Sequence, residues 1–299
     1  MPVAPPVSPS WPTPLPDLSI VVPAFNEEAS IGRCLRELRA HLDRLGLTWE
    51  IVVVDDGSGD GTGAVVEQHA AAEPRIRLIR GGRGGKGAAI RRGMLEARGA
   101  WRFMADADLA MPLDNLDRFI RAVSGSPAPH IVIGSREAPG SQRVGEHWLR
   151  HAIGRVFNSY VRLLVLPGIM DTQCGFKLFS AEAVEALFPR LTVDGFAFDV
   201  ELLVMARRAG YEIREAGIVW HGRADSRVAV SRGSAAFGDV LRVRWNAWTG
   251  RYGAATTCQP PSRRGIPRSS SSSPSSTAAA PSPRWGRAAS TPSEAPTRD

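Results

Sequence analysis

The sequence predicts an α/β domain built on a mostly parallel central sheet, with helices on both faces and no transmembrane helix. Two observations carry this. Short apolar runs that read as buried strands alternate with segments whose apolar residues recur at helical spacing. Each of the first four strand-like runs also ends in a polar cluster, and in parallel sheets ligands bind beyond the carboxyl ends of the strands. No run approaches the roughly 18 uninterrupted apolar residues of a spanning helix.

The elements follow in order. Leu18 to Pro23 is a short apolar strand. Glu27-Glu28-Ala29-Ser30 opens a helix to about Leu45, with Ile31, Leu35, Leu38 and Leu42 on one face. Trp49 to Val54 is a continuous apolar strand, and a second helix covers about Gly63 to Ala72 after Asp60-Gly61-Thr62. Ile76 to Ile79 is the third strand, Gly84 to Arg98 holds a Gly-rich turn and a third helix, and Trp101 to Ala105 is the fourth strand.

Composition bounds the rest. The chain has 299 residues, 43% of them apolar, enough for a substantial core. Residues 1–16 form a Pro-rich extension without the charged-then-apolar pattern of a signal peptide. The folded region is expected at 17–253. From Ala254 the chain turns to Ser, Pro, Ala and Arg, where six Arg against two acids supply +4 of the formal +7. Such a tail, 254–299, buries too little apolar area to order itself. The positive excess is concentrated there while the clustered acids lie in the folded region, so nucleic acid is a disfavoured partner. Cys34, Cys174 and Cys258 lack metal-like spacing and read as reduced thiols of a cytoplasmic protein.

The chemistry centres on Asp106-Ala107-Asp108, just past the fourth strand. Alternate side chains share a side of a strand, so the two acids can converge, and Ala107 keeps the approach open. Two hard oxygen ligands suit Mg²⁺ or Mn²⁺, whose shell water and phosphate oxygens complete. Taken alone, the pair is equally an acidic turn. The clusters after the other strands are Pro23-Ala24-Phe25-Asn26-Glu27, Asp55-Asp56-Gly57-Ser58-Gly59-Asp60 and Arg83-Gly84-Gly85-Lys86-Gly87. Asp55 and Asp56 can accept hydrogen bonds from a base or ribose. Lys86 can approach a diphosphate at a helix N-terminus, where backbone amides and the dipole favour anions. The glycine run lacks P-loop spacing, and no Gly-x-Gly-x-x-Gly follows the first strand, so a dinucleotide fold is disfavoured.

With Val22-Pro23-Ala24-Phe25-Asn26-Glu27, Val54-Asp55-Asp56-Gly57-Ser58, Gly85-Lys86-Gly87 and Asp106-Ala107-Asp108, the chain resembles the family 2 inverting glycosyltransferases of the GT-A fold. Gly134-Ser135-Arg136, Asp171 to Phe179 and Phe198-Asp199-Val200-Glu201-Leu202 are similar to the polyprenyl (dolichyl) phosphate hexosyltransferase branch, most of all its dolichyl-phosphate β-glucosyltransferase type. The resemblance covers about Leu18 to Gly253. It implies that Pro23, Ala24, Asn26 and Glu27 line the nucleotide site and that Asp55 holds the base, with Asp56 and Ser58 nearby. It implies that Lys86 and Gly87 meet the diphosphate. Asp106, Ala107 and Asp108 would face the sugar nucleotide, with the two acids on its metal, and Asp199 would face the sugar. Mannosyl-phosphate relatives often carry a metal-binding Gln two positions beyond the second Asp; Ala110 stands there in this chain, which weakens a mannose reading.

The second half is expected to supply the acceptor side. Arg136, Gln173, Lys177, Ser226 and Arg227, with Arg223, suit an acceptor phosphate, which Arg binds in a fork. Asp199 and Glu201 are also consistent with an N-cap and a first-turn acid of a helix through Met205. A lipid phosphate is already an anion at neutral pH, so no general base is assigned. Glu146 to Leu166 and Phe237 to Tyr252 are amphipathic and basic, the second with Trp245 and Trp248, which suits peripheral contact with the cytoplasmic membrane face. The implied reaction moves a hexose from UDP-glucose, or alternatively GDP-mannose, to a polyprenyl phosphate with Mg²⁺ or Mn²⁺. A soluble or polysaccharide acceptor is the alternative on the same scaffold.

Overall fold

In chain order the elements are β1 (Leu18–Ala24), α1 (Glu28–Arg44), β2 (Trp49–Asp55), α2 (Thr62–Ala72), β3 (Ile76–Arg80), α3 (Lys86–Glu96), β4 (Trp101–Met104), α4 (Asp114–Val123), β5 (Ile131–Ser135), β6 (Gln142–Val144), α5 (Trp148–Leu164), β7 (Lys177–Ser180), α6 (Ala181–Leu187), α7 (Phe198–Arg208), β8 (Ile213–Gly217), β9 (Val219–His221) and α8 (Val230–Trp248). They come from a computed structural model that describes residues 15–252 except 110, 126–127, 146–147, 196 and 222–229. Ala110, Arg223, Ser226, Arg227, Cys258, most of the Pro-rich extension and the 254–299 tail lie outside the described residues.

Among the described residues seven strands form one sheet in the order β3-β2-β1-β4-β7-β5-β8. β1 runs parallel to β2 and β4, β2 to β3, and β5 to β8. β7 alone is antiparallel, to both β4 and β5. A separate pair joins β6 and β9 in parallel. The β-α-β connections over the first four strands follow the expected order.

Register brings the polar clusters together. Ala24 lies opposite Asp55, and Asp55 opposite Arg80. The amide of Asp56 donates to Ala24 O (2.9 Å) and that of Gly81 to Asp55 O (2.7 Å), so the loops after β1, β2 and β3 leave the sheet side by side. Because β7 runs the other way, Lys177 at its start pairs with Met104 at the end of β4. The loop that leads into β7 therefore arrives at the same rim.

Strand alternation splits the core between two faces. Val21, Val52 and Val54 point into one cluster with α3, α5, α6, α7 and α8. Leu18, Ile20, Val22, Ile51 and Val53 point into the other, with α1 and α4. Ile31, Leu35, Leu38 and Leu42 of α1 are all fully buried, as their spacing predicts. Burial of such a side chain contributes about 1.5–3 kcal/mol. α3 lies directly on the sheet: a Cβ at Gly93 would stand 2.5 Å from a Val21 methyl and 2.7 Å from one of Val54.

Candidate active site

The first two loops are stapled to each other. Asn26 has φ 54°, a left-handed conformation that Asn tolerates better than most residues. Its amide donates to Ser58 Oγ (2.9 Å), and Gly59 N donates back to Asn26 Oδ1 (2.9 Å). Glu27 N donates to Thr62 Oγ1 (2.8 Å). Asp55 Oδ1 accepts from Ser58 N (2.9 Å), and its carboxylate keeps further acceptor sites. Asp56, also buried, accepts from Gly84 N (2.8 Å) and Gly85 N (2.9 Å). Asp56 thus shapes the glycine turn after β3, a task no local pattern had assigned to it. Pro23 and Ala24 end β1 beside this group.

Lys86 is the first residue of α3, and Gly85 before it adopts φ 93°. Lys86 Nζ donates to Asp106 Oδ1 at 2.6 Å. Burial works against the lysine charge, but the Asp106 carboxylate outweighs it and holds the pKa above the ordinary lysine value. Asp106 is pressed against the β7-side loop: a Cβ on Gly175 would fall 2.2 Å from Asp106 Oδ2. Ala107 is buried, and both Asp106 and Asp108 are partly open. Leu109, at φ 49°, closes the turn, its amide donating to Asp106 O (3.2 Å).

Among the described residues no three His, Cys, Asp or Glu side chains gather as a metal site. Asp106 and Asp108 offer hard oxygens from two carboxylates. That donor set fits Mg²⁺ or Mn²⁺ carried on a diphosphate, whose oxygens and waters fill the shell. It does not fit a metal held by protein alone.

The second half departs from expectation. Asp199 is not an N-cap; Ala197 holds that position without a side-chain cap bond, and Asp199 is the second residue of α7. Its carboxylate turns inward and accepts from Lys177 Nζ at 2.6 Å. Burial pushes the Asp199 pKa up, against the pull of Lys177. Lys177 has no exposed surface and also donates to Cys174 O. The assignment of Lys177 to an acceptor phosphate is therefore corrected: its ammonium is enclosed and already paired. Arg136 forks onto the buried Asp171, Nε to Oδ2 at 2.6 Å and Nη2 to Oδ1 at 2.9 Å. Burial raises the Asp171 pKa, but the guanidinium overcomes this and holds it below the usual carboxylate range. Gln173 is half-buried in the same loop. Cys174 is buried and its thiol is pushed up to about 11, a packing residue.

Glu201 is a first-turn acid of α7, as its position predicts, and with Gly175 and Tyr252 it belongs to this neighbourhood without having been singled out as a site residue. Gly175 makes room for Asp106. Glu201 and Tyr252 share a buried hydrogen bond of 2.9 Å. A glycine just before an apolar strand and an acid inside an apolar helix were the available signals.

At the carboxyl rim of the sheet an acid pair, a helix-opening lysine and a carboxylate-held glycine turn come together. The profile described as Glycosyl transferase family 2 matches residues 19–188, and the chain belongs to that family of glycosyltransferases. It is 39% identical over 223 residues to the protein of Trichomonas vaginalis named dolichyl-phosphate beta-glucosyltransferase ALG5C, covering 71% of this chain and 66% of that one. It is 34% identical over 232 residues to the Saccharomyces cerevisiae dolichyl-phosphate beta-glucosyltransferase, covering 72% and 70%. The match to the human protein of that name is 34% over 224 residues, 70% and 69% of the two chains. The chain thus spans about two thirds of the length of these relatives. Among solved structures, glucosyl-3-phosphoglycerate synthase of Mycobacterium tuberculosis with Mn²⁺, UDP-glucose and phosphoglyceric acid aligns at TM-score 0.55, with 20% identity over 80% of each chain. Mannosyl-3-phosphoglycerate synthase of Rubrobacter xylanophilus aligns at 0.57, with 19% identity over 84% and 79%. These likenesses establish a shared GT-A fold.

Proposed function

We propose that this enzyme transfers a hexose, with inversion, from a nucleotide sugar to a polyprenyl (dolichyl-type) phosphate. UDP-glucose is the first choice of donor and GDP-mannose the second. The observation that carries the reading is the meeting of Lys86, Asp106 and the Asp56-held glycine turn at one rim. The name shared by relatives at 34–39% identity supports the acceptor and the sugar. Mn²⁺ beside UDP-glucose in a neighbour of the same fold supports the donor and the metal.

A phosphate oxygen of the lipid attacks the anomeric carbon from the face opposite the leaving diphosphate. The new C–O bond forms as the old one breaks, and its electron pair leaves on the diphosphate. Pro23, Ala24, Asn26, Glu27, Asp55 and Ser58 would line the nucleoside end, Lys86 the diphosphate, with Gly87 seated behind it on Asp194 O, and Asp199 the sugar. Asp106 and Asp108 would hold Mg²⁺ or Mn²⁺, which supplies charge neutralisation on the departing diphosphate. Lys86 adds fixed positive charge from the helix N-terminus. The acceptor is an anion and needs no proton removed. Gln173, Ser226 and Arg227 are the remaining acceptor-phosphate candidates, and Arg136 reaches it only by sharing its fork with Asp171.

A lipid acceptor requires a docking surface, and the α5–α8 pair supplies one. The helices pack side by side through Phe157 and Phe237, ring centroids 5.0 Å apart, and through Tyr160 and Phe237 at 5.1 Å. Outside that seam stand exposed Val156, Leu163, Leu241, Trp245 and Trp248, with exposed Arg155, Arg162, Arg242 and Arg244 among them. No described helix is long and apolar enough to cross a membrane. The surface suits peripheral binding to an anionic bilayer at its cytoplasmic face.

The test is incubation with radiolabelled donor, Mg²⁺ or Mn²⁺ and polyprenyl phosphate, followed by solvent extraction. Labelled lipid that disappears in Asp108→Ala is the expected result. No extractable label with any common donor removes the acceptor, and full activity in Asp108→Ala removes the metal role.

A further inference from the structure

Glu201 is fully buried in α7. Its Oε2 accepts from Thr192 N and Val193 N, both at 2.8 Å. Its Oε1 accepts from Thr192 Oγ1 at 2.6 Å and from Tyr252 Oη at 2.9 Å. Three of these donors fix the segment between α6 and α7 to the carboxylate, and the fourth, from Tyr252, ties the carboxylate to the chain past α8.

The next residue of that segment meets the glycine turn. Asp194 O accepts from Gly87 N at 2.9 Å. A Cβ on Gly87 would lie 2.7 Å from Asp194 O and 3.0 Å from Val193 O, and one on Gly85 would lie 3.1 Å from Asp194 O. The backbone of residues 193–194 is thus the wall against which Gly85 and Gly87 are seated. Asp56 holds the same turn from the opposite side through Gly84 N and Gly85 N. Lys86, between the two glycines, is aimed at Asp106 by this clamp.

We propose that Glu201 and Tyr252 are positioning residues for the phosphate-binding turn: together they brace the 192–194 wall that places Lys86 and the N-terminus of α3. The proposal rests on the reading of that turn as the donor-diphosphate site. Neither residue touches donor or acceptor. Losing the brace lets the wall drift from Gly87 and loosens the seat of the donor diphosphate to a similar degree in the ground state and the transition state.

The test uses Tyr252→Phe, which keeps the ring and removes one donor to Glu201, and Glu201→Gln, which halves the carboxylate's acceptor capacity. Binding of UDP and UDP-glucose with Mn²⁺ is measured by calorimetry, alongside donor KM, acceptor KM, kcat and Tm. Tyr252→Phe should weaken donor binding and raise donor KM about tenfold, with acceptor KM unmoved and kcat within about twofold. Glu201→Gln should do the same more severely, and if it fails to fold, Tyr252→Phe decides alone. A purely structural role would instead lower Tm and the active fraction, reducing kcat with both KM values unchanged, and that outcome overturns the proposal. So does wild-type donor affinity in Tyr252→Phe. A wild type that binds no nucleotide sugar overturns the donor reading itself, whatever the variants do.

Discussion

Lys177→Met is the perturbation that most sharply separates a buried brace from an acceptor contact. Lys177 is fully enclosed, the Asp199 side chain is 8% exposed, and their charges meet at 2.6 Å. At an effective dielectric of about 20 that attraction is about 6 kcal/mol, much of it offset by desolvating both ions. Removing one partner of such a pair typically costs about 3–5 kcal/mol. For Lys177→Met the lower end applies, about 3 kcal/mol, because burial already raises the Asp199 pKa and lets the stranded acid take up a proton. Asp199→Asn removes the opposite charge beside an enclosed ammonium that also donates to Cys174 O, and about 4 kcal/mol is expected. Lys177→Met with Asp199→Asn removes both charges and should lie within about 2 kcal/mol of wild type, giving a coupling energy of about 5 kcal/mol. Urea unfolding at pH 7, followed by circular dichroism, measures all four corners of the cycle. The reasoning fails if Lys177→Met costs under about 1 kcal/mol while raising acceptor KM, because the ammonium would then face substrate.

Gly175→Ala should force the Asp106 carboxylate aside, since the new methyl would sit 2.2 Å from its oxygen; metal-dependent turnover falls about 100-fold with a small change in Tm, checked by product assay and thermal melt. Asp171→Asn should cost about 3 kcal/mol near pH 7 by removing the buried carboxylate charge onto which Arg136 forks. The folded-state pKa of Asp171 is depressed, so its contribution is complete above the ordinary carboxylate value and is lost as pH falls through the lower one. The gap between wild type and variant should therefore hold from pH 7 to about 5, begin to narrow below about 4 and disappear only as pH falls through the depressed value, as read from denaturant melts across pH. Trp245→Ser with Trp248→Ser should weaken sedimentation with anionic vesicles at least about tenfold at unchanged Tm, since the two rings are 60% and 78% exposed.

The gathering of the first four clusters was legible for a topological reason. In consecutive β-α-β units each loop directly follows its own strand, so four polar clusters in sequence order become four clusters on one rim. The register of β1 with β2 then stacks Ala24 beside Asp55 without further information. The second half was not legible, because its decisive contacts are long in sequence. Lys177 opens the strand Lys-Leu-Phe-Ser, in which every residue is buried, while charged residues are usually exposed. A surface role was the natural assignment, and the only counter-signal was Asp199, an acid turned into an apolar helix 22 positions on. β7 carries no mark of its antiparallel direction either. That reversal is what delivers Gly175 to Asp106.

The β4–β7 ladder joins the two halves, and two further contacts between them lie at the candidate site. Gly175 backs Asp106 from the loop before β7, and Asp194 backs Gly87 from the segment before α7. The family match ends at residue 188, yet Asp194, Asp199, Glu201 and Tyr252 all lie beyond it. The matched region therefore contains the four strand-end clusters but not the wall that seats the glycine turn. The proposed diphosphate site is thus backed by residues outside the matched region. A change in α7, or at Tyr252 just past α8, can reach that turn through the backbone of residues 192–194 without touching it. Variation at Glu201 and Tyr252 is held, on the proposal above, to whatever keeps that backbone in place, since a shift there moves Lys86 away from Asp106.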